Sequence, residues 1–87
     1  MKAPFMPNRK LIRREHVDST ALRSVGYDAQ RAVLQVELLE GAIYDYLGVP
    51  AEEYAAFMKA GSKGRYYSRV FKPKGYQPYL VRERATA

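Results

Sequence analysis

The chain contains no cysteine, only one histidine and no long apolar run, and each shortage removes a class of function. Without thiols there are no disulfide staples, no thiolate metal sites and no cysteine nucleophiles, and the protein can fold in a reducing compartment. His16 stands alone among basic residues, so a metal site or a histidine general base would lack partners, and it reads as a solvated residue. No stretch approaches the roughly 18 apolar residues of a membrane-spanning helix, and the N-terminus has no apolar signal segment. A cytoplasmic protein without membrane contact is the expectation. At 87 residues there is room for one domain with a modest core, and the sequence has neither internal repeats nor low-complexity tracts.

What the chain does have is positive charge, unevenly placed. The net charge is +6. Residues 1–16 carry five basic residues against Glu15, and residues 63–87 carry seven against Glu83. Between them, residues 17–62 carry three basic and seven acidic residues. Such polarity favours an anionic partner on one side of the molecule, although basic ends can also serve solubility alone.

Hydrophobic periodicity divides the chain into three parts. Residues 1–18, with two prolines and no period, read as a flexible basic arm. Three strand-like runs follow, Leu22–Asp28, Ala32–Leu39 and Ala42–Leu47; in the second, Leu34, Val36 and Leu38 alternate with Gln35 and Glu37. Turn residues at 28–31 and 40–41 make an antiparallel meander the simplest arrangement. Pro50 with Glu52 and Glu53 in the next turn predicts a helix start, because carboxylates favour the positive end of the helix dipole. Tyr54, Phe57 and Met58 share one face of that helix, and Gly61 can stop it. Ser62 can cap a second helix, with Tyr66, Tyr67, Val70 and Phe71 as its apolar side and Pro73 at its end. The fold class is therefore α+β: a three-stranded antiparallel meander followed by two short helices over residues 19–76. Residues 77–87 form a basic tail or an extra edge strand near Tyr79, Leu80 and Val81.

The register of the second hairpin decides where Tyr44 and Tyr46 point. A two-residue turn at Glu40-Gly41 would drive Asp45 into the core, at a cost of about 2–7 kcal/mol or more for an unpaired polar group. A three-residue loop at Leu39-Glu40-Gly41, with Gly41 left-handed, shifts the parity. Tyr44 and Tyr46 then join Leu34 and Val36, and Asp45 faces outward. The tyrosines accordingly read as core. The alternatives are a base-stacking platform, or rings packed under the helices with hydroxyls reaching a cleft, and Tyr76 is a further candidate for either.

The segment Ser19-Thr20-Ala21-Leu22-Arg23-Ser24-Val25-Gly26-Tyr27-Asp28 resembles the opening of the KTSC domain, named for its occurrence at the C-terminus of some lysyl-tRNA synthetases. Tyr44-Asp45-Tyr46 after Gly41 looks like that family's Tyr-x-Tyr motif, and Val49-Pro50 and Ser62-Lys63-Gly64-Arg65-Tyr66-Tyr67 continue the order. The run Lys72-Pro73-Lys74-Gly75-Tyr76 is longer than the family pattern. The resemblance implies a small bacterial or phage module without an established activity, and attachment to a tRNA-handling enzyme hints at RNA.

Little in the sequence suggests catalysis. Glu37, Glu40 and Asp45 read as solvated acids rather than magnesium ligands. Gly61-Ser62-Lys63-Gly64 lacks the Gly-Lys-Ser/Thr ending of a P-loop. It reads as an interhelical turn that could still hold one phosphate. In the stretch KGRYYSRVFKPKGYQPY, helical spacing places Arg65, Arg69 and Lys72 in one stripe opposite the apolar side. The expectation is a non-catalytic module, without cofactor or metal, that binds RNA or single-stranded nucleic acid. Lys63, Arg65, Arg69, Lys72 and Lys74 would form its basic face, and Arg9, Lys10, Arg13 and Arg14 mobile phosphate contacts from the arm. The alternative is an adaptor docking the same basic surface on an acidic protein partner.

Overall fold

The alternation of Leu34, Val36 and Leu38 with Gln35 and Glu37 produces the middle of a five-stranded antiparallel sheet. A computed structural model describes residues 3–84 of the chain; residues 1–2 and 85–87, at the tips of the two basic ends, lie outside the described residues. In chain order the elements are β1 (Glu15–His16), β2 (Leu22–Asp28), β3 (Val33–Leu38), β4 (Ile43–Leu47), α1 (Ala51–Lys59), a second helical segment over residues 63–74, and β5 (Pro78–Arg82). The strands lie side by side in the order β1-β2-β3-β4-β5. The predicted meander is thus the central part of the sheet. The C-terminal segment adds a strand on one edge and two residues of the N-terminal segment add one on the other.

The β3–β4 hairpin has the three-residue loop. The Leu38 amide donates to Ala42 O at 2.8 Å and the Gly41 amide to Leu38 O at 2.9 Å. Gly41 takes φ 106°, a conformation that residues with a Cβ rarely adopt. The register pairs Leu34 with Tyr46, Gln35 with Asp45 and Val36 with Tyr44. One face of the sheet therefore presents Leu22, Val25, Leu34, Val36 and Tyr46 to the helices, all buried in one core with Phe57, Tyr67 and Phe71. Phe57 and Phe71 are fully buried and stand edge to face, 5.8 Å apart. Each removes a large apolar ring from water, about 1.5–3 kcal/mol of stabilisation apiece.

The second helical segment departs from the spacing expected of it. It begins with α-helical Lys63–Arg65, capped by Ser62, whose Oγ accepts from the Arg65 amide at 3.3 Å. Residues Tyr66–Phe71 are π-helical and Lys72–Lys74 form a 3₁₀ turn ending at left-handed Gly75. The Lys72 amide bonds to Tyr67 O, the five-residue step of a widened turn. That step rotates Val70 away from the core, so Val70, expected in the apolar face, is 40% exposed. Tyr67 and Phe71 remain buried.

Residues 3–16, expected as a flexible arm, instead form a strap across the outer face of the sheet. Pro4 and Met6 exchange backbone hydrogen bonds with Leu80, placing Phe5 alongside β5. The strap then passes over β4 and β3, and Glu15–His16 pairs with β2 at the far edge. The physical reason for this order lies in the polar outer face: Gln35 and Asp45 are fully buried there, bonded to each other, and the strap supplies the rest of their partners. The described fold therefore begins well before Ser19.

Candidate functional site

The strap removes several basic residues from the set available to a ligand. Arg9 Nε donates to Asp45 Oδ2 at 2.6 Å, with the Asp45 side chain fully buried. Gln35 Nε2 donates both to Lys10 O at 3.1 Å and to Asp45 Oδ1 at 2.8 Å, and its Oε1 accepts from the Ile12 amide at 3.1 Å. Arg14 donates to Ser24 Oγ at 2.9 Å and to the Gln35 side chain. Arg9 and Arg14 are thus structural groups rather than mobile phosphate contacts. Asp45 lies on the face opposite the core, as the desolvation argument requires, but it is covered by Arg9 instead of water. The side chains of Lys10 and Arg13 are exposed on the strap, on the side of the sheet away from the helices.

A second buried carboxylate removes one more lysine. Glu53 projects from the inner side of α1 and accepts from Lys74 Nζ at 2.6 Å, from the Tyr66 hydroxyl, and from the Tyr76 hydroxyl at 3.5 Å. Burial by itself would raise its pKa. The Lys74 ammonium and the hydroxyl donors outweigh that and hold the carboxyl below the usual glutamate range. Tyr76 is committed in the same way, since its ring stacks on Phe71 at 5.2 Å between centroids. Neither Lys74 nor Tyr76 is available as the free contact expected of it.

The remaining cations of the predicted stripe divide between two depressions on the helical side. Lys63, Arg65 and Arg69 border a polar cleft of about 760 Å³, together with Ser62, Ser68, Ser19, Thr20 and the carboxylate of Asp18. The two segments that carried the family resemblance at either end, Ser19-Thr20-Ala21 and Ser62-Lys63-Gly64, are adjacent here. A Cβ on Gly64 would lie 2.9 Å from Ser19 Oγ, so the glycine permits this close approach. Arg65 and Arg69 have no carboxylate partner among the described residues, and Lys63 Nζ donates to Ala60 O at 3.1 Å. Guanidinium and hydroxyl donors facing one open cleft are suited to phosphate oxygens.

Lys72, the third member of the expected stripe, borders a different depression. This cavity, about 510 Å³, is lined by Tyr44, Tyr46 and Tyr67 from the core side and by Phe5, Leu38, Pro78 and Leu80. Tyr46 is buried against Phe71, edge to face at 4.9 Å, and its hydroxyl lies 2.7 Å from that of Tyr67. Tyr44 is half-buried. The arrangement is close to the intermediate one, with tyrosines packed beneath the helical segment and lining a cavity. Phe5 and Tyr67 belong to this site, and neither was singled out as a site residue from the sequence. Phe5 lies in an unpatterned segment, and Tyr67 carried the signal of a core residue only.

A five-stranded antiparallel sheet with two helical segments on one face, and motif segments meeting at a basic cleft, defines a small α+β domain. The family model of the KTSC domain matches residues 18–76, and the chain belongs to that family. The chain is 42% identical over 70 residues to an uncharacterised protein of Stutzerimonas stutzeri, covering 80% of this chain and 99% of the relative. A protein of Tsukamurella paurometabola is 34% identical over 58 residues, 67% of this chain and 87% of its own. Among solved structures, the crystal structure of a KTSC domain protein from Yersinia pestis superposes with a TM-score of 0.74 at 34% identity, covering 80% of this chain and 97% of that one. The strap and β5 lie outside the residues matched by the family model.

Proposed function

We propose that the protein is a non-catalytic module that binds the phosphate backbone of RNA or single-stranded nucleic acid through Lys63, Arg65 and Arg69, with Lys72 extending the cationic surface along the same helical segment. The observation that carries this reading is the contrast in how the cations are used. Arg9, Arg14 and Lys74 are held by the protein's own buried polar groups, whereas Arg65 and Arg69 face an open cleft with no carboxylate bonded to them among the described residues. The hydroxyls of Ser19, Thr20 and Ser62 around the same cleft add neutral donors for phosphate oxygens, while that of Ser68 is donated to Gly64 O. The relevant chemistry is charge neutralisation, which holds a backbone without reading its sequence.

Fluorescence anisotropy with a labelled ten-nucleotide uridine RNA tests this. With four cations engaged, the affinity should fall with salt at a log–log slope of about −3. The Arg65→Ala/Arg69→Ala variant should bind at least about tenfold more weakly, to all sequences alike, and with a shallower slope. Wild-type affinity in that variant would overturn the reading. Co-purification of one acidic protein after nuclease treatment, with no RNA binding, would favour the adaptor instead.

A further inference from the structure

The cavity beside Lys72 is lined by two tyrosines whose hydroxyls share a single hydrogen bond. Tyr46 and Tyr67 are 6% and 7% exposed, and their hydroxyl oxygens lie 2.7 Å apart. Each phenol carries one hydrogen, and the bond between them uses only one of the two. Whichever ring donates, the other retains an O–H with no acceptor among the described residues, and both rings line the cavity. That second hydrogen is free to be donated to an acceptor that enters the cavity. The cavity volume, about 510 Å³, falls within the range of small-molecule sites, about 300–1,000 Å³.

The surroundings limit what would satisfy that hydrogen. Leu38, Pro78 and Leu80 make apolar walls, and Phe5, half exposed at the cavity, offers a ring for a planar group to stack on. Lys72 Nζ lies 5.5 Å from the Tyr67 ring centre, so a cation stands over the aromatic lining and favours an anion there. Glu83 also borders the cavity and disfavours a ligand that is anionic throughout. The combination suits a flat, largely apolar heterocycle with a carbonyl or ring-nitrogen acceptor, joined to a phosphate near Lys72.

We propose that this cavity receives one unstacked base of the bound strand, the base accepting a hydrogen bond from the Tyr46–Tyr67 hydroxyl pair while its phosphate meets Lys72. The proposal rests on the nucleic-acid reading above and adds to it a pocket for a single nucleotide. Arg65 and Arg69 hold backbone on one part of the helical segment, and the cavity takes a base further along it.

The experiment compares a ten-nucleotide uridine RNA with an abasic ribose-phosphate strand of equal length, using full-length wild-type protein and two variants. Wild type should bind the base-bearing strand about tenfold or more tightly than the abasic one. Tyr46→Phe/Tyr67→Phe, which removes both hydroxyls and keeps both rings, should reduce that preference about fivefold or more and leave abasic binding unchanged. Phe5→Ala alters an exposed ring outside the core and should reduce it similarly, which keeps the test valid if the double variant misfolds. Equal wild-type binding of the two strands, or an unchanged preference in Phe5→Ala and in a folded double variant, would overturn the base pocket and leave the phosphate reading standing. Absence of binding to either strand would overturn the phosphate reading and the pocket with it.

Discussion

Arg9 Nε and Asp45 Oδ2 lie 2.6 Å apart, joining a residue of the strap to the middle of a central strand. The Asp45 side chain is fully buried and the Arg9 side chain 20% exposed, so the pair stands where water screens it poorly. Gln35 holds the second oxygen of Asp45 and connects the pair to the strap backbone at Lys10 and Ile12.

Arg9→Ala leaves Asp45 buried and charged with only Gln35 as a partner. Its unfolding free energy in urea should fall by about 3 kcal/mol, toward the lower end for breaking a buried pair because Arg9 keeps some contact with water. Arg9→Ala combined with Asp45→Ala should recover part of that loss, since the stranded charge is gone. Additive losses in the double-mutant cycle would show that the two groups act independently.

Gly26 reports on the strap from beneath. A Cβ at this position would run into the backbone carbonyl of Arg13 and approach Arg14 Cγ to 2.9 Å. Gly26→Ala should therefore lift the strap. Amide exchange at Met6, Ile12 and Leu80 should accelerate at least about tenfold, while amides at the β3–β4 pairing stay protected. Unchanged exchange at Met6 and Ile12 would show that the strap tolerates the methyl group.

Glu53 gives the protein an acid-sensitive component of stability. Folding lowers its pKa, because Lys74 and the tyrosine hydroxyls together outweigh burial. The ion therefore stabilises the fold above the ordinary glutamate value, and that contribution is lost as pH falls through the lowered, folded value. Glu53→Gln should cost about 2 kcal/mol at pH 7 and flatten the decline in stability below pH of about 4.5. Parallel urea titrations from pH 7 to 3 measure both. An equally steep acid decline in the variant would place the sensitive group elsewhere.

The widened turn makes opposite forecasts for two neighbouring residues. Phe71 is fully buried and Phe71→Ala should cost about 3–5 kcal/mol in thermal or urea unfolding. Val70, which an ordinary helix would place on the same apolar face, should cost under about 0.5 kcal/mol as Val70→Ala. A large loss at Val70 would mean that the segment is α-helical throughout.

These residues also show what the sequence made legible. The loop at Leu39-Glu40-Gly41 and the faces of Tyr44, Tyr46 and Asp45 followed from one local argument, the cost of placing a carboxylate in an apolar core. The strand pairing bears out that register. The Ser62 cap and the inward side of Tyr54 and Phe57 were local in the same sense. The strap was not legible, because Arg9, Arg14 and Ile12 are matched to Asp45, Ser24 and Gln35 at separations of 10 to 36 residues, and no period marks such a pairing. The candidate site was legible only in part. Basic residues could be counted, but whether each had an internal carboxylate depended on tertiary contacts, and those assigned Lys74 to Glu53 and left Arg65 and Arg69 facing the cleft.

The strap also has a bearing on self-association. By laying Phe5 beside β5 and Glu15–His16 beside β2, it occupies hydrogen-bonding positions on both margins of the sheet, the places where a second molecule could add a strand of its own. A variant in which the N-terminal residues detach would expose those rows of amides and carbonyls while its core stayed folded. The likeness of one molecule's margin to the next would then template chain-to-chain growth, making solubility at high concentration a property of residues 3–16.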